Sequence, residues 1–210
     1  PILQNFVKYH RLVADFEARE KAGVAPAMPL VEEYKALSSF AEFAGKSAEY
    51  MLAGKPNFLR FDVAPDFMNA QMNVLWADAP GIILPDTTYY EEGNEKGPEL
   101  LAAWRKMQEE LLPKFGFSAE ETKDILDKYL ELDAKLAKYV LSNEEMSEYA
   151  KLYHPYDWAD FVQLTPELPL NAIFTQILGQ LPDKVIVPQE RFWKEFAAEY
   201  YSEKNWPAIH

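Results

Sequence analysis

Three histidines, His10, His154 and His210, are the only imidazoles in a chain of 210 residues that has no cysteine at all. Metal binding by soft ligands therefore rests on these three, and disulfides, thiolate zinc sites and cysteine nucleophiles are excluded together. None of the three lies in a His-Glu-x-x-His pattern, and none has a carboxylate at Glu-x-x-His spacing. His10 borders an apolar helical stripe and is expected to be partly buried and structural; His154 precedes Pro155 in an aromatic loop and is read the same way. His210 ends the chain and carries no inference.

Carboxylates are the other candidates. Glu120 and Asp124 stand four apart, a spacing some metal sites use, but they fall in the first turn of a helix, where negative charge complements the dipole. The pairs Glu32-Glu33, Glu91-Glu92, Glu109-Glu110 and Glu144-Glu145 are adjacent in sequence. Adjacent helical residues point about 100° apart, so these read as solvated faces. Two carboxylates brought together by the fold, as in a glycosidase, stay open as a third reading. No Gly-x-Gly-x-x-Gly, Gly-x-Ser-x-Gly or phosphate-cradling loop is present.

Helices are the main elements available to position such groups. Phe6, Tyr9, Val13 and Phe16 recur at helical spacing through residues 2–20, and Gly23 to Pro29 break the pattern. A second helix is expected over residues 30–52, stopped by Gly54. Alternation over residues 58–64 and 73–77 predicts a hairpin, with residues 65–70 as its connection. Helices then resume at Gly97-Pro98 and again after Phe115-Gly116-Phe117, where Ser118 and Glu121 form a capping box. The stripe Ile125, Tyr129, Leu132, Leu136, Val140 follows, with Asp124–Lys128 and Glu131–Lys135 as i,i+4 pairs. Ser142 and Glu145 suggest another box, leading to a helix that runs to about residue 152. Residues 153–164 read as an irregular aromatic stretch, with a turn capped by Asp157. Thr165-Pro166-Glu167 signals a helix that Gly179 stops. Val185-Ile186-Val187 is a short buried strand, and residues 189–204 read as one helix with a wide aromatic stripe. The aromatic clusters Trp158/Phe161 and Phe192/Trp193/Tyr200/Tyr201 are assigned to the core.

The fold class is thus mainly α: a multi-helix lobe with a small β-hairpin and a short extra strand. It is expected to be a single lobe over 1–210, with a helical pair (1–54), a hairpin and linking segment (55–90) and a helical bundle (91–210). Nearly half the residues are apolar and 14% are aromatic, which excludes a disordered chain. A net charge of -13 argues against nucleic acid and anionic membrane as partners. No run approaches the ~18 apolar residues of a membrane span. The chain opens at Pro1 with no basic-then-apolar leader, the aspect of a piece of a longer protein.

One segment stands out. Gly81, Ile82, Ile83, Leu84, Pro85, Asp86, Thr87, Thr88, Tyr89, Tyr90 runs from an apolar stretch through a Pro-Asp turn to paired tyrosines. With its surroundings it resembles the N-terminal, non-catalytic part of the neprilysin-like (M13) zinc metallopeptidases of the bacterial endopeptidase O type. There a Gly-Leu-Gly-Leu-Pro-x-x-x-Tyr-Tyr segment follows a hairpin with an aromatic-rich strand and a Pro-Asp turn. Here Phe61 to Asp66 with Asn69 match the hairpin, and Gly81, Leu84, Pro85, Asp86, Tyr89 and Tyr90 match the segment. Ile83 stands where glycine is usual, and Thr87 and Thr88 where Arg-Asp is common. In order along the chain, the Phe-Gly-Phe-Ser turn and Glu131, Leu132, Leu136 and Ala137 continue the resemblance. Tyr153-His154-Pro155, the helix after Leu170 and the strand at Val185 to Val187 complete it.

The resemblance implies a helical lobe that closes over a thermolysin-like catalytic lobe and encloses a cavity for peptides. Its six matched residues are structural, and no catalytic or metal-ligating residue is expected in this chain. The zinc, its His-Glu-x-x-His helix, a downstream glutamate and an Asn-Ala-x-Tyr substrate strand would all lie further along the parent chain. The expected partners are the catalytic lobe of the same chain and a peptide substrate, in a bacterial cytoplasm or at a cell surface. The alternative is a free-standing acidic helical module that binds a protein partner.

Overall fold

The computed structural model describes residues 2–210; Pro1 lies outside the described residues. Helices α1 (Ile2–Ala14) and α2 (Phe16–Ala22) open the chain. The single helix expected over residues 2–20 is broken at Asp15, whose side chain accepts from the Ala18 amide at 2.9 Å and starts α2 instead. Every residue from 2 to 23 is exposed. The partial burial expected of His10 is therefore corrected: it projects from a helix that buries nothing.

The second expected helix is also two. α3 (Met28–Lys35) ends before Ser39, which is extended and caps α4 (Phe40–Leu52) through the Glu42 amide at 3.1 Å. Two further orphan amides of α4, on Phe40 and Ala41, each donate to a carboxylate oxygen of Glu203 at 3.0 Å. At the other end Gly54 takes a positive φ of 64°, and Lys55 N–H reaches back to the Tyr50 carbonyl at 2.9 Å, a Schellman closure.

The hairpin is longer than its alternation suggests. Strand β1 (Arg60–Asp66) pairs antiparallel with β2 (Asn69–Asp78), from Arg60 opposite Asp78 to Asp66 opposite Asn69. Pro65, Asp66, Asn69 and Ala70, expected in the connection, belong to the strands, and only Phe67 and Met68 turn the corner. A register irregularity between Pro65 and Asp66 accommodates the proline. The extra strand β4 (Lys184–Ile186) pairs parallel with β2, Leu75 opposite Val185. A strand that periodicity missed, β3 (Pro155–Asp157), pairs antiparallel with β4 and completes a sheet of order β1-β2-β4-β3. Pro155 is tolerated because it starts an edge strand.

The remaining helices are α5 (Lys96–Leu111), α6 (Ala119–Leu136), α7 (Asn143–Ser147), α8 (Trp158–Phe161), α9 (Leu170–Leu178), α10 (Glu190–Glu195), α11 (Ala197–Tyr200) and α12 (Trp206–Ile209). Both expected capping boxes are formed, at Ser118/Glu121 and Ser142/Glu145. The helix after Ser142 is shorter than expected, ending at Ser147. The helix expected over residues 189–204 is interrupted at Phe196, whose φ of −135° leaves the helical region.

The core joins α4, the inner sheet face and the C-terminal helices through aromatic rings. Phe61 lies 4.8 Å from Phe174, Phe161 lies 4.8 Å from Trp193, and Tyr139 stacks on Phe196 at 4.6 Å. Trp158, Phe161, Phe192, Trp193, Tyr200 and Tyr201 are all buried within it. The architecture is mainly α with one small sheet.

Candidate functional site

The segment from Gly81 to Tyr90 runs along α6 and is held there by one carboxylate. α6 exists because Ser118 starts it and Leu126, Leu132 and Leu136 bury its inner face. Asp133 falls on that face and is only 3% exposed. One of its oxygens accepts from the Ile83 amide at 2.8 Å, and the other accepts from the Tyr90 hydroxyl at 2.5 Å. The same hydroxyl accepts from the Leu84 amide at 3.1 Å. A buried carboxylate, a tyrosine and two backbone amides thus satisfy one another, which offsets the cost of burying them. Burial raises the Asp133 pKa, while the bonds from Tyr90 and Ile83 lower it; desolvation wins. Tyr90 is pushed up first by burial and then by donating to Asp133, so it stays a neutral donor.

Asp86 fixes the turn. Its side chain accepts from the Thr88 amide at 2.8 Å and caps the short helical turn Thr87–Tyr90. Its second oxygen accepts from the Asn143 amide at 2.6 Å, and Asn143 Nδ2 donates to the Pro85 carbonyl at 3.1 Å. The Asn143 amide, then the Thr88 side chain and amide, hold the Asp86 carboxyl below the usual aspartate range. Leu84 is 4% exposed, Pro85 and Gly81 are exposed, and Tyr89 is half-buried. A methyl group at Gly97 would overlap the Tyr89 carbonyl oxygen, so the start of α5 can approach this turn only as glycine.

Five of the six matched residues, Leu84, Pro85, Asp86, Tyr89 and Tyr90, thus lie in one bonded turn, while Gly81 sits at its mouth near the Arg60 side chain. Of the residues that hold the turn, Asp133 and Asn143 are not among the candidates the sequence offers, and Gly97 reads there only as part of a helix start. Asp133 had a legible signal: a lone charge seven residues after Leu126 and four after Tyr129, in the middle of an apolar stripe. Asn143 had none. A cavity of about 550 Å³ opens between this turn, α6 and α7, lined by Thr88, Tyr90, Lys138, Glu144, Glu145 and Arg191 among others. Arg191 already donates to the Tyr139 and Val140 carbonyls at 3.2 and 2.7 Å.

The histidines are not brought together. His154 Nδ1 faces the Val187 carbonyl at 3.1 Å, and His210 Nε2 faces the Tyr34 carbonyl at 2.8 Å. Carbonyl oxygens only accept, so both ring nitrogens carry the proton. Glu120 is exposed, and Asp124 is paired with Lys128 at 2.6 Å. Among the described residues, no group of three or more His, Asp or Glu is placed to hold a metal ion. The donors among the described residues are too scattered to fit a zinc.

The described residues thus form a mainly helical fold around one small sheet, with the Gly81 to Tyr90 segment held on it by Asp133 and Asn143. The family model described as Peptidase family M13, built on the N-terminal part of such chains, matches residues 3–210. The chain belongs to peptidase family M13, of which it is an N-terminal region.

A Streptococcus gordonii protein with the provisional name zinc metalloproteinase in scaA 5′ region is 61% identical over 209 residues. That match covers 100% of this chain and 37% of the relative. The neutral endopeptidase of Lactococcus lactis subsp. cremoris is 32% identical over 210 residues, covering all of this chain and 33% of that protein. The chain therefore spans little more than a third of the curated relatives it matches. Among solved structures, PepO of Lactobacillus rhamnosis superposes with a TM-score of 0.82 at 22% identity, over 90% of this chain and 30% of that one. The Mycobacterium tuberculosis zinc metalloprotease Zmp1 in its open state gives 0.75 at 21% identity, over 92% and 30%. These likenesses establish the fold. No helix among the described residues is long and apolar enough to cross a membrane.

Proposed function

We propose that this chain is the helical lobe of a zinc-dependent metalloendopeptidase that cleaves oligopeptides, and that it encloses the substrate cavity without supplying catalytic groups. The observation that carries the reading is the 61% identity along the whole chain to a protein named as a zinc metalloproteinase, of which it covers only 37%. The zinc and the residues that activate water belong, on this reading, to the part of the parent protein outside these 210 residues. Gly81, Leu84, Pro85, Asp86, Tyr89 and Tyr90 act by shaping and packing the lobe, Tyr90 through its bond to Asp133 and Pro85 and Asp86 through theirs to Asn143. The partners are the catalytic lobe of the same chain and the peptide that lies between the lobes.

The test compares the full-length protein with the 210-residue chain, measuring metal content and cleavage of a quenched fluorescent peptide. Full-length protein is expected to hold stoichiometric zinc and to cleave, losing activity to a chelator. The 210-residue chain is expected to do neither. Stoichiometric zinc or cleavage in the short chain would falsify the assignment, as would a full-length protein that lacks both.

A further inference from the structure

Helix α1 exposes all of its apolar residues. Ile2, Phe6, Tyr9 and Val13 recur at spacings of four, three and four, so they fall on one face. Ile2 is 87% exposed, Phe6 62% and Tyr9 66%, and none of the thirteen residues is buried. An isolated helix of this length is marginal in water, and an exposed contiguous apolar strip marks an interaction surface.

What covers it follows from two observations. The chain covers only 37% of a relative 61% identical to it, and the family model it matches is that of an N-terminal region, so most of such a protein lies outside these residues and a C-terminal part of it continues from them. His210 is bonded to the Tyr34 carbonyl of α3, so the polypeptide beyond it leaves beside α3, to which α1 and α2 are joined through Ala25–Ala27. A continuing segment starts close to the uncovered strip and meets it at the high effective concentration of an intramolecular partner. Charge disfavours a second copy, because each copy brings a net charge of -13. It disfavours an anionic membrane too: α1 carries Lys8 and Arg11 as its only Lys or Arg, against the many of a membrane-surface helix.

We propose that the Ile2–Phe6–Tyr9–Val13 strip is the docking surface for the segment that follows His210 in the full-length protein, so that α1 packs with the second lobe. This rests on the reading of the chain as one lobe of a longer peptidase. The test uses full-length protein carrying a benzophenone photo-cross-linker in place of Phe6, with a second version carrying it in place of Lys8 on the opposite face. Mass spectrometry of monomer bands is expected to map cross-links from position 6 to peptides beyond residue 210, several-fold more abundant than from position 8. Independently of any variant, α1 amides in unlabelled full-length protein should exchange with deuterium at least about 100-fold slower than a free helix.

Cross-links to a second copy, to phosphatidylglycerol vesicles, or equally from both faces would overturn the docking, as would α1 amides exchanging at the free-helix rate. Zinc content and peptide cleavage, measured on the same unlabelled protein, judge the peptidase reading separately. Zinc and cleavage without those cross-links sink the docking alone; cross-links without zinc or cleavage sink the peptidase reading alone.

Discussion

Asp133 shows how one side chain can organise a segment distant in sequence. It sits 43 residues after Tyr90, yet it takes the tyrosine hydroxyl and the Ile83 amide, and that hydroxyl takes the Leu84 amide. Tyr90→Phe leaves a buried carboxylate oxygen and an amide unpaired, a loss of about 1–3 kcal/mol that urea unfolding would register as a lowered midpoint. Gly97→Ala is expected to cost more than a typical surface change, about 1–3 kcal/mol, because the methyl meets the Tyr89 carbonyl, which is backbone and cannot swing away. A variant with an unchanged midpoint would show that the start of α5 yields. Asp86 contributes to pH dependence with a definite sign. Its folded-state pKa is depressed, so its stabilisation is complete above the ordinary aspartate range and is lost as pH falls through the folded value. Asp86→Asn keeps one acceptor for Thr88 but no charge for the Asn143 amide. It should lower stability at neutral pH and flatten the acid limb of a stability–pH curve; a parallel curve would deny Asp86 this role. Asp86 and Tyr90 were legible as neighbours in one string. Asp133 and Asn143 were not legible as their partners, because pairing at that range is written in the packing of α6 and α7.

Among elements, those with local punctuation were legible and those with remote punctuation were not. The capping boxes of α6 and α7 and the glycine stops at Gly54 and Gly179 each act within four or five residues, and each is formed. Ser118→Ala is expected to cost about 1 kcal/mol through the lost cap, with thermal unfolding as the check and the adjacent Ala119→Gly as a comparison for helix propensity. A Ser118→Ala midpoint equal to the parent would mean the Glu121 side chain alone suffices. The breaks at Asp15, Ser39 and Phe196 were read through because the apolar period continues across them, although Asp15 and Ser39 are themselves capping residue types. Strand β3 was hidden for a different reason: three residues are too few to show alternation, and its pairing with β4 is decided by the sheet. Asp66 illustrates the same dependence. It is buried and meets Lys184, the Tyr153 hydroxyl at 2.9 Å and the Met68 amide at 2.9 Å, joining the hairpin to strands found much later.

At the scale of the whole molecule, the body and the first two helices are energetically separate. Residues 2–23 bury nothing, so in the 210-residue chain their removal should leave the unfolding free energy within about 0.5 kcal/mol and the transition equally cooperative. A fall of several kcal/mol on deletion would mean α1 packs on its own lobe. The body is bound by rings drawn from both ends of the chain, such as Phe43 against Trp206 at 5.7 Å and Phe61 against Trp193 at 5.8 Å. Composition and order of motifs were sufficient for the fold class; the closure of the ends upon each other was not, since periodicity carries no information about which stripe meets which.

The capping of α4 by Glu203 has a consequence for synthesis. The two groups are separated by 163 residues, so when α4 leaves the ribosome two of its first amides have no partner to receive them. At ~5–20 residues per second, the missing carboxylate follows on the order of ten seconds later. Through that interval Phe40 and Phe43 lack Tyr201 and Trp206, their eventual neighbours. The nascent segment around α4 is thus a client for any chaperone that binds exposed aromatic helices, until Tyr201, Glu203 and Trp206 arrive to close it.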